Sequence, residues 1–185
     1  MRPTREDAWK LLTEFTQSES LLKHGLAVEA AMVGYARRFG QDEELWGITG
    51  LIHDFDYERW PSAPDHPLKG MAILRERGWP DEVIRAIGGH ASYTGIPRDT
   101  LLAKTLFAVD ELCGFIMAVA YVRPSRKLED VQVSSVRKKM KDKAFARQVS
   151  REEIVQGAQE LGVDLDEHIA QCIAGMRDVS AALGL

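Results

Sequence analysis

A histidine and an aspartate stand side by side, His53-Asp54, at the end of the apolar run Trp46 to Ile52. An ionised carboxylate buried without a partner is very costly, so buried charges are paired or bind metal. Imidazole nitrogen and carboxylate oxygen are both ligands for zinc, iron and manganese. A lone His-Asp dipeptide can equally be a helix end, with His53 as its cap. The other histidines give it weight. There are five (His24, His53, His66, His90 and His168), and four of them precede Asp110. Asp110 itself interrupts the very apolar stretch Leu101 to Val122, where Asp is rare unless paired. An arginine from elsewhere would compensate it, and so would a metal. The histidines favour metal, and the order along the chain is His, His-Asp, His, His, Asp.

That order resembles the HD-domain superfamily of metal-dependent phosphohydrolases, over roughly His24 to Asp110 and the flanking helices. The resemblance implies an all-α fold, a single compact helical HD-type domain with its metal site between central helices. It also implies that His24, His53, Asp54 and Asp110 hold one metal. His66 and His90 match the two further histidines of the binuclear subgroup, in which the Asp of the pair bridges. The cofactor is then a divalent transition metal, one or two ions per chain, drawn from Fe, Mn, Zn, Ni and Co. The reaction implied is hydrolysis of a phosphate ester or anhydride, nucleotides included, because a metal lowers the pKa of bound water. Asp54 is the first candidate catalytic residue. Asp56 is the second, as a proton acceptor nearby, and its rival reading is a solvent-facing turn residue. The HDIG subgroup has Gly and Lys where this chain has Asp56 and Tyr57, so that Lys has no counterpart. Two other activities fit the same ligand order: a di-iron oxygenase acting on inositol or phosphonates, and a non-catalytic sensor with a structural metal.

The elements that must position these residues read as helices. Thr4 is an N-cap with Asp7 three residues on. A second helix runs from Ser18 or Ser20 to Phe39 and stops at Gly40, with His24 early in it and off its densest apolar stripe. Asp42-Glu43-Glu44 opens a third helix, which ends at the His-Asp pair. Phe55 to Trp60 reads as a turn and Pro61 to Asp65 as a loop, so His66 before Pro67 enters a helix that ends near Arg77-Gly78. Pro80-Asp81-Glu82 opens the helix that His90 closes. Gly88-Gly89 costs that helix about 1 kcal/mol per glycine relative to alanine, which points to close approach of backbone or substrate at His90. Ala91 to Arg98 reads as a loop at the pocket rim, and Asp99 or Thr100 caps the long central helix.

One domain accounts for 185 residues, with a metal-binding core at about 20–122 and a helical extension at about 123–185. The extension carries Arg123, Arg126, Lys138, Lys139 and Lys141. In a chain of net charge −4 this concentration is either a solvated helix face or an anion site; Arg123, Lys138, Lys139 and Lys141 are the candidate substrate-binding residues. Ser150 to Glu153 reads as a capping box, and Asp164 to about Leu183 as one amphipathic helix with His168 on the surface. Cys113 and Cys172 read as buried thiols rather than a disulfide framework. The acidic charge argues against a general nucleic-acid surface, and Lys104, Asp110 and Glu111 argue against a membrane span at Leu101 to Val122. With no apolar N-terminal segment, the expectation is a cytoplasmic protein acting on a small phosphorylated substrate.

Overall fold

The computed structural model describes residues 2–185, and among them every regular element is helical. Helix α1 spans Arg5–Phe15, and its capping box is complete in both directions between Thr4 and Asp7. Helix α2 spans Glu19–Phe39 and ends at Gly40, whose φ of 63° is the left-handed conformation that favours glycine. Helix α3 spans Glu43–Ile52, and the Asp42 carboxylate at its start accepts the Leu45 N–H. Helices α4 (Asp65–Glu76) and α5 (Asp81–His90) follow. The central helix α6 runs Leu101–Tyr121 from a Thr100 cap, and α7 is Val133–Met140. Helix α8 is Arg151–Leu161, α9 is Leu165–Arg177 and α10 is Ser180–Leu183. No helix of the described residues is long and apolar enough to cross a membrane.

Helix α2 lies between α3, α6 and α9, while α8 packs along α6, so the C-terminal helices share one core with the rest. Two glycines set crossings that position the site. A Cβ on Gly50 would lie 2.8 Å from Met32 Cγ and 2.9 Å from Val28 O, so α3 runs against α2 with no side chain between them. A Cβ on Gly157 would lie 2.6 Å from Ala108 Cα, which fixes α8 against α6 in the same way. The first crossing brings the end of α3, with His53, beside His24 on α2. The second brings the start of α8 beside Asp110 and Glu111.

Two expectations fail in the C-terminal half. The single helix from Asp164 to Leu183 is broken at Asp178-Val179. A short helix resumes over Ser180–Leu183, and Gly184, at φ 72°, turns the chain after it, so that Leu183 and Leu185 are both buried. His168 is not on the surface but fully buried. The Tyr35 hydroxyl donates to its Nδ1 (2.6 Å), and its Nε2–H donates to the Ala108 carbonyl (2.7 Å). Helix α9 contacts both α2 and α6, so its buried stripe is wide enough to include His168 and Cys172 beside Ile169 and Ile173. Cys113 and Cys172 are free and buried, as read from the sequence.

Gly50→Ala is expected to destabilise the fold by about 1–3 kcal/mol, because α3 must move off the Val28 carbonyl. Urea unfolding should show a lower midpoint at unchanged slope; an unchanged midpoint would mean that the α2–α3 crossing has slack.

Candidate metal centre

Three of the histidines have Nδ1 held by an acceptor of the chain, in two of them a backbone carbonyl three residues back. His53 follows the last turn of α3, and its Nδ1 lies 2.7 Å from the Gly50 carbonyl. A carbonyl only accepts, so Nδ1 carries the proton and Nε2 presents its lone pair. His90 ends α5 with its Nδ1 on the Ile87 carbonyl. In both cases a carbonyl left over at a helix end orients the ring. His66 has extended backbone (φ −79°, ψ 136°) just ahead of the α4 turns, and its Nδ1–H donates to Asp56 Oδ1 at 2.8 Å. A histidine whose other nitrogen is so engaged is oriented as metal ligands are. The fourth, His24 on α2, places Nε2 2.9 Å from Asp110 Oδ1 on α6.

Asp54 is shared between two groups. Its Oδ2 is 3.3 Å from His53 Nε2 and 3.9 Å from His24 Nε2. Asp110 Oδ1 completes that group, 3.2 Å from His53 Nε2. The other oxygen of Asp54, Oδ1, is 3.2 Å from both His66 Nε2 and His90 Nε2, which are 3.3 Å apart. Ligands about 2.1 Å from a tetrahedral ion stand about 3.4 Å from each other, so these spacings suit ions. Two sets could hold one: His24, His53, Asp54 and Asp110, and Asp54, His66 and His90.

The donor chemistry fits a cation as well as the spacing does. His53 is fully buried, and its Nε2 has no hydrogen-bond partner. Burial disfavours charge on His53, but the Asp54 and Asp110 carboxylates outweigh it and raise its pKa well above the usual imidazole value. Burial likewise opposes ionisation of Asp54 and Asp110, and His53, aided by the other histidines, overrides it and pulls both well below the carboxylate range. Burial lowers and Asp54 and Asp56 raise the pKa of His66, which settles at about 9. The group therefore holds its carboxylates ionised and attracts positive charge to the Nε2 positions, as protons or as metal.

Every member of the two sets except His53, which is fully buried behind Asp54 and Asp110, lines a cleft of about 530 Å³ shared with Tyr57, Ser92, Tyr93, Glu111, Val149 and Glu153. Several sequence expectations are corrected here. Asp56 is neither solvent-facing nor in the cleft: it is buried, one oxygen taking His66 Nδ1–H and the other the Gly70 N–H at 2.8 Å. With both oxygens engaged behind His66, it is a positioning residue rather than a catalytic one. Arg123, Lys138, Lys139 and Lys141 do not line the cleft. Arg123 donates to Ser135 Oγ, Lys139 lies over the Phe145 ring at 4.7 Å, and Lys138 and Lys141 are exposed. Gly88 and Gly89 make room for protein, not substrate: a Cβ on Gly88 would meet Ile96 Cδ1 at 2.6 Å and Met71 Sδ at 2.7 Å. The capping box at Ser150 is half formed. Its Oγ accepts the Glu153 N–H, but its own N–H goes to Glu111 on α6 at 2.7 Å.

Sequence reasoning missed Glu111, Glu153 and Arg98. Burial and Asp110 raise the Glu111 carboxyl to about 7 against the Ser150 hydrogen bond. Arg98 donates to the Gly89 carbonyl at 2.9 Å, makes two 2.7 Å bonds to Glu160 on α8, and lies 3.7 Å over Phe107. It thus anchors the end of α5 that carries His90. The spacing of Glu153 and Glu160, two turns apart on one helix, was the available signal; nothing in the sequence pairs them with residues 92 and 98.

The HD domain matches residues 21–114, just over half of the chain. The chain therefore belongs to the HD-domain family, and the ligand order read from His24 to Asp110 lies inside the matched span. Ribonuclease Y of Desulfotalea psychrophila is 29% identical over 154 residues, covering 77% of this chain and 28% of that protein. The chain thus spans a little over a quarter of the length of that relative. No solved structure matches.

Asp56→Asn is expected to weaken metal retention at the His66–His90 set by about 10–100-fold, through loss of the carboxylate that orients His66. The first set should keep its ion. Metal analysis after dialysis at limiting metal measures this, and full retention at both would show that Gly70 and the α4 backbone suffice to hold the ring.

Proposed function

We propose that the chain is a metal-dependent phosphohydrolase that holds two divalent transition-metal ions and cleaves a small phosphate ester or anhydride with water. The observation that supports it is the division of Asp54: each oxygen faces its own histidines, and the Nε2 lone pairs converge on it. His24, His53, Asp54 and Asp110 would hold one ion, and Asp54, His66 and His90 the other. Bound ions would polarise phosphoryl oxygens and acidify water. The chain contributes rigidity and charge. His53 and His90 cannot turn away without losing their carbonyl partners, His66 is locked by Asp56, and Asp54 stays ionised between them. Water adds to phosphorus, the ester oxygen leaves with a proton, and the products are an alcohol and phosphate.

The relative's name describes a ribonuclease. A net charge of −4 and a cleft without lysine or arginine favour a small substrate over a polynucleotide for this chain. Free buried thiols suit a reducing compartment, and we assign the cytoplasm on that basis. On this reading the division at about residue 122 is not a functional boundary, because α8 supplies Glu153 to the cleft.

His53→Ala and Asp54→Ala should each abolish phosphatase and phosphodiesterase turnover and lower bound metal. They should also remove the stabilisation that added metal gives the wild type. Turnover that survives in a metal-depleted variant would overturn the reading, and substrate-dependent oxygen consumption without phosphate release would favour an oxygenase on the same ligands.

A further inference from the structure

We infer that the cleft takes a substrate with a single phosphoryl group on an uncharged or cationic remainder, and that Glu153, with Glu111, reads that remainder. This deepens the phosphohydrolase reading and rests on it. His53 Nε2, fully buried and without a hydrogen-bond partner, faces Asp54 and Asp110 from behind, and those two carboxylates together with His24, His66 and His90 open the metal positions to the cleft.

The charge of the cleft carries the inference. Asp54, Asp110, Glu111 and Glu153 line it, and no lysine or arginine does. Two nearby arginines are committed elsewhere. Arg98 is held by Glu160 and the Gly89 carbonyl. Arg151 donates to the carbonyls of Asp142, Phe145, Ala146 and Val149. Two divalent ions bring four positive charges against these carboxylates, so a bound phosphoryl dianion leaves the site negative whether or not Glu111 is ionised. A second anionic group on the substrate would have no basic partner and would sit beside like charge, which costs binding.

Glu153 is free for the task because of an exchange of caps. At the third position of α8 it would ordinarily accept the Ser150 N–H. Glu111 takes that N–H instead, and Glu153 turns to Ser92, accepting from its Oγ at 3.0 Å through Oε1. Its Oε2 has no protein partner among the described residues. An ammonium or hydroxyl group on the substrate would supply one.

The test is calorimetric binding, not turnover, on metal-loaded protein. The probes are inorganic phosphate, O-phosphoethanolamine, glycerol 3-phosphate and 3-phosphoglycerate, whose remainders are cationic, neutral and anionic in turn. O-phosphoethanolamine should bind at least about tenfold more tightly than 3-phosphoglycerate, with glycerol 3-phosphate between them. Glu153→Gln, checked for folding by its melting temperature, should narrow that ratio to about threefold or less, and Glu111→Gln serves as the second variant. Equal or tighter binding of 3-phosphoglycerate would overturn the inference, as would an order unchanged in both variants. If inorganic phosphate binds the loaded protein no better than the metal-free protein, the phosphohydrolase reading fails and takes this inference with it. If phosphate binds and the three esters do not separate, the inference alone fails.

Discussion

Two carboxylates, Asp54 and Asp110, lie mostly buried at the edge of the cleft with no arginine or lysine to pair them, and much of the molecule answers that constraint. Unpaired buried charge is costly enough to unfold a domain of this size. The compensation comes from four imidazoles on α2, α3, α4 and α5, each delivered by a helix or helix end. Arginine would have neutralised the carboxylates permanently. Histidine neutralises them only by holding a proton, which a metal bound at the same nitrogens would replace.

The packing follows from the need to bring the ligand atoms on those helices to between 2.9 and 3.9 Å of one another. Side-chain-free contact at Gly50 draws α3 onto α2, and Gly157 draws α8 onto α6. Helix α6 is the common wall. It carries Asp110 toward the histidines of α2 and α3, holds the start of α8 through Glu111, packs against α8 and α9, and buries most of its length. The C-terminal helices are not an appendage: α8 gives Glu153 to the cleft and, through Glu160 and Arg98, steadies the end of α5.

Legibility in the sequence depended on whether a signal was local. Caps and helix limits were readable at Thr4, Gly40, Asp42 and Thr100 because turn chemistry lies within a few residues. His53, Asp54 and Asp110 stood out because each interrupts or ends an apolar run, and His24, His66 and His90 joined them through the order they share with the HD-domain family. Pairings across long separations were not readable. His168 looked peripheral because its partners, Tyr35 and Ala108, lie 133 and 60 residues away. Asp56 looked like a turn residue because His66 and Gly70 close over it only in three dimensions. The basic residues from Arg123 to Lys141 followed the Asp110 helix in sequence, but their side chains meet Ser135, Phe145 and solvent. A local motif even misled: Ser150 and Glu153 fit a capping box, yet a distant carboxylate, Glu111, won the donor.

The central claim is that Asp54 is shared by two ions, and the most direct measurement is a crystal structure of metal-loaded protein with anomalous scattering from the bound metal. The account predicts two peaks per chain. One should lie about 2.0–2.2 Å from Asp54 Oδ2 and the nitrogens of His24 and His53, the other at similar distance from Oδ1 and the nitrogens of His66 and His90. A single peak, or any pair in which Asp54 touches only one ion, would contradict it.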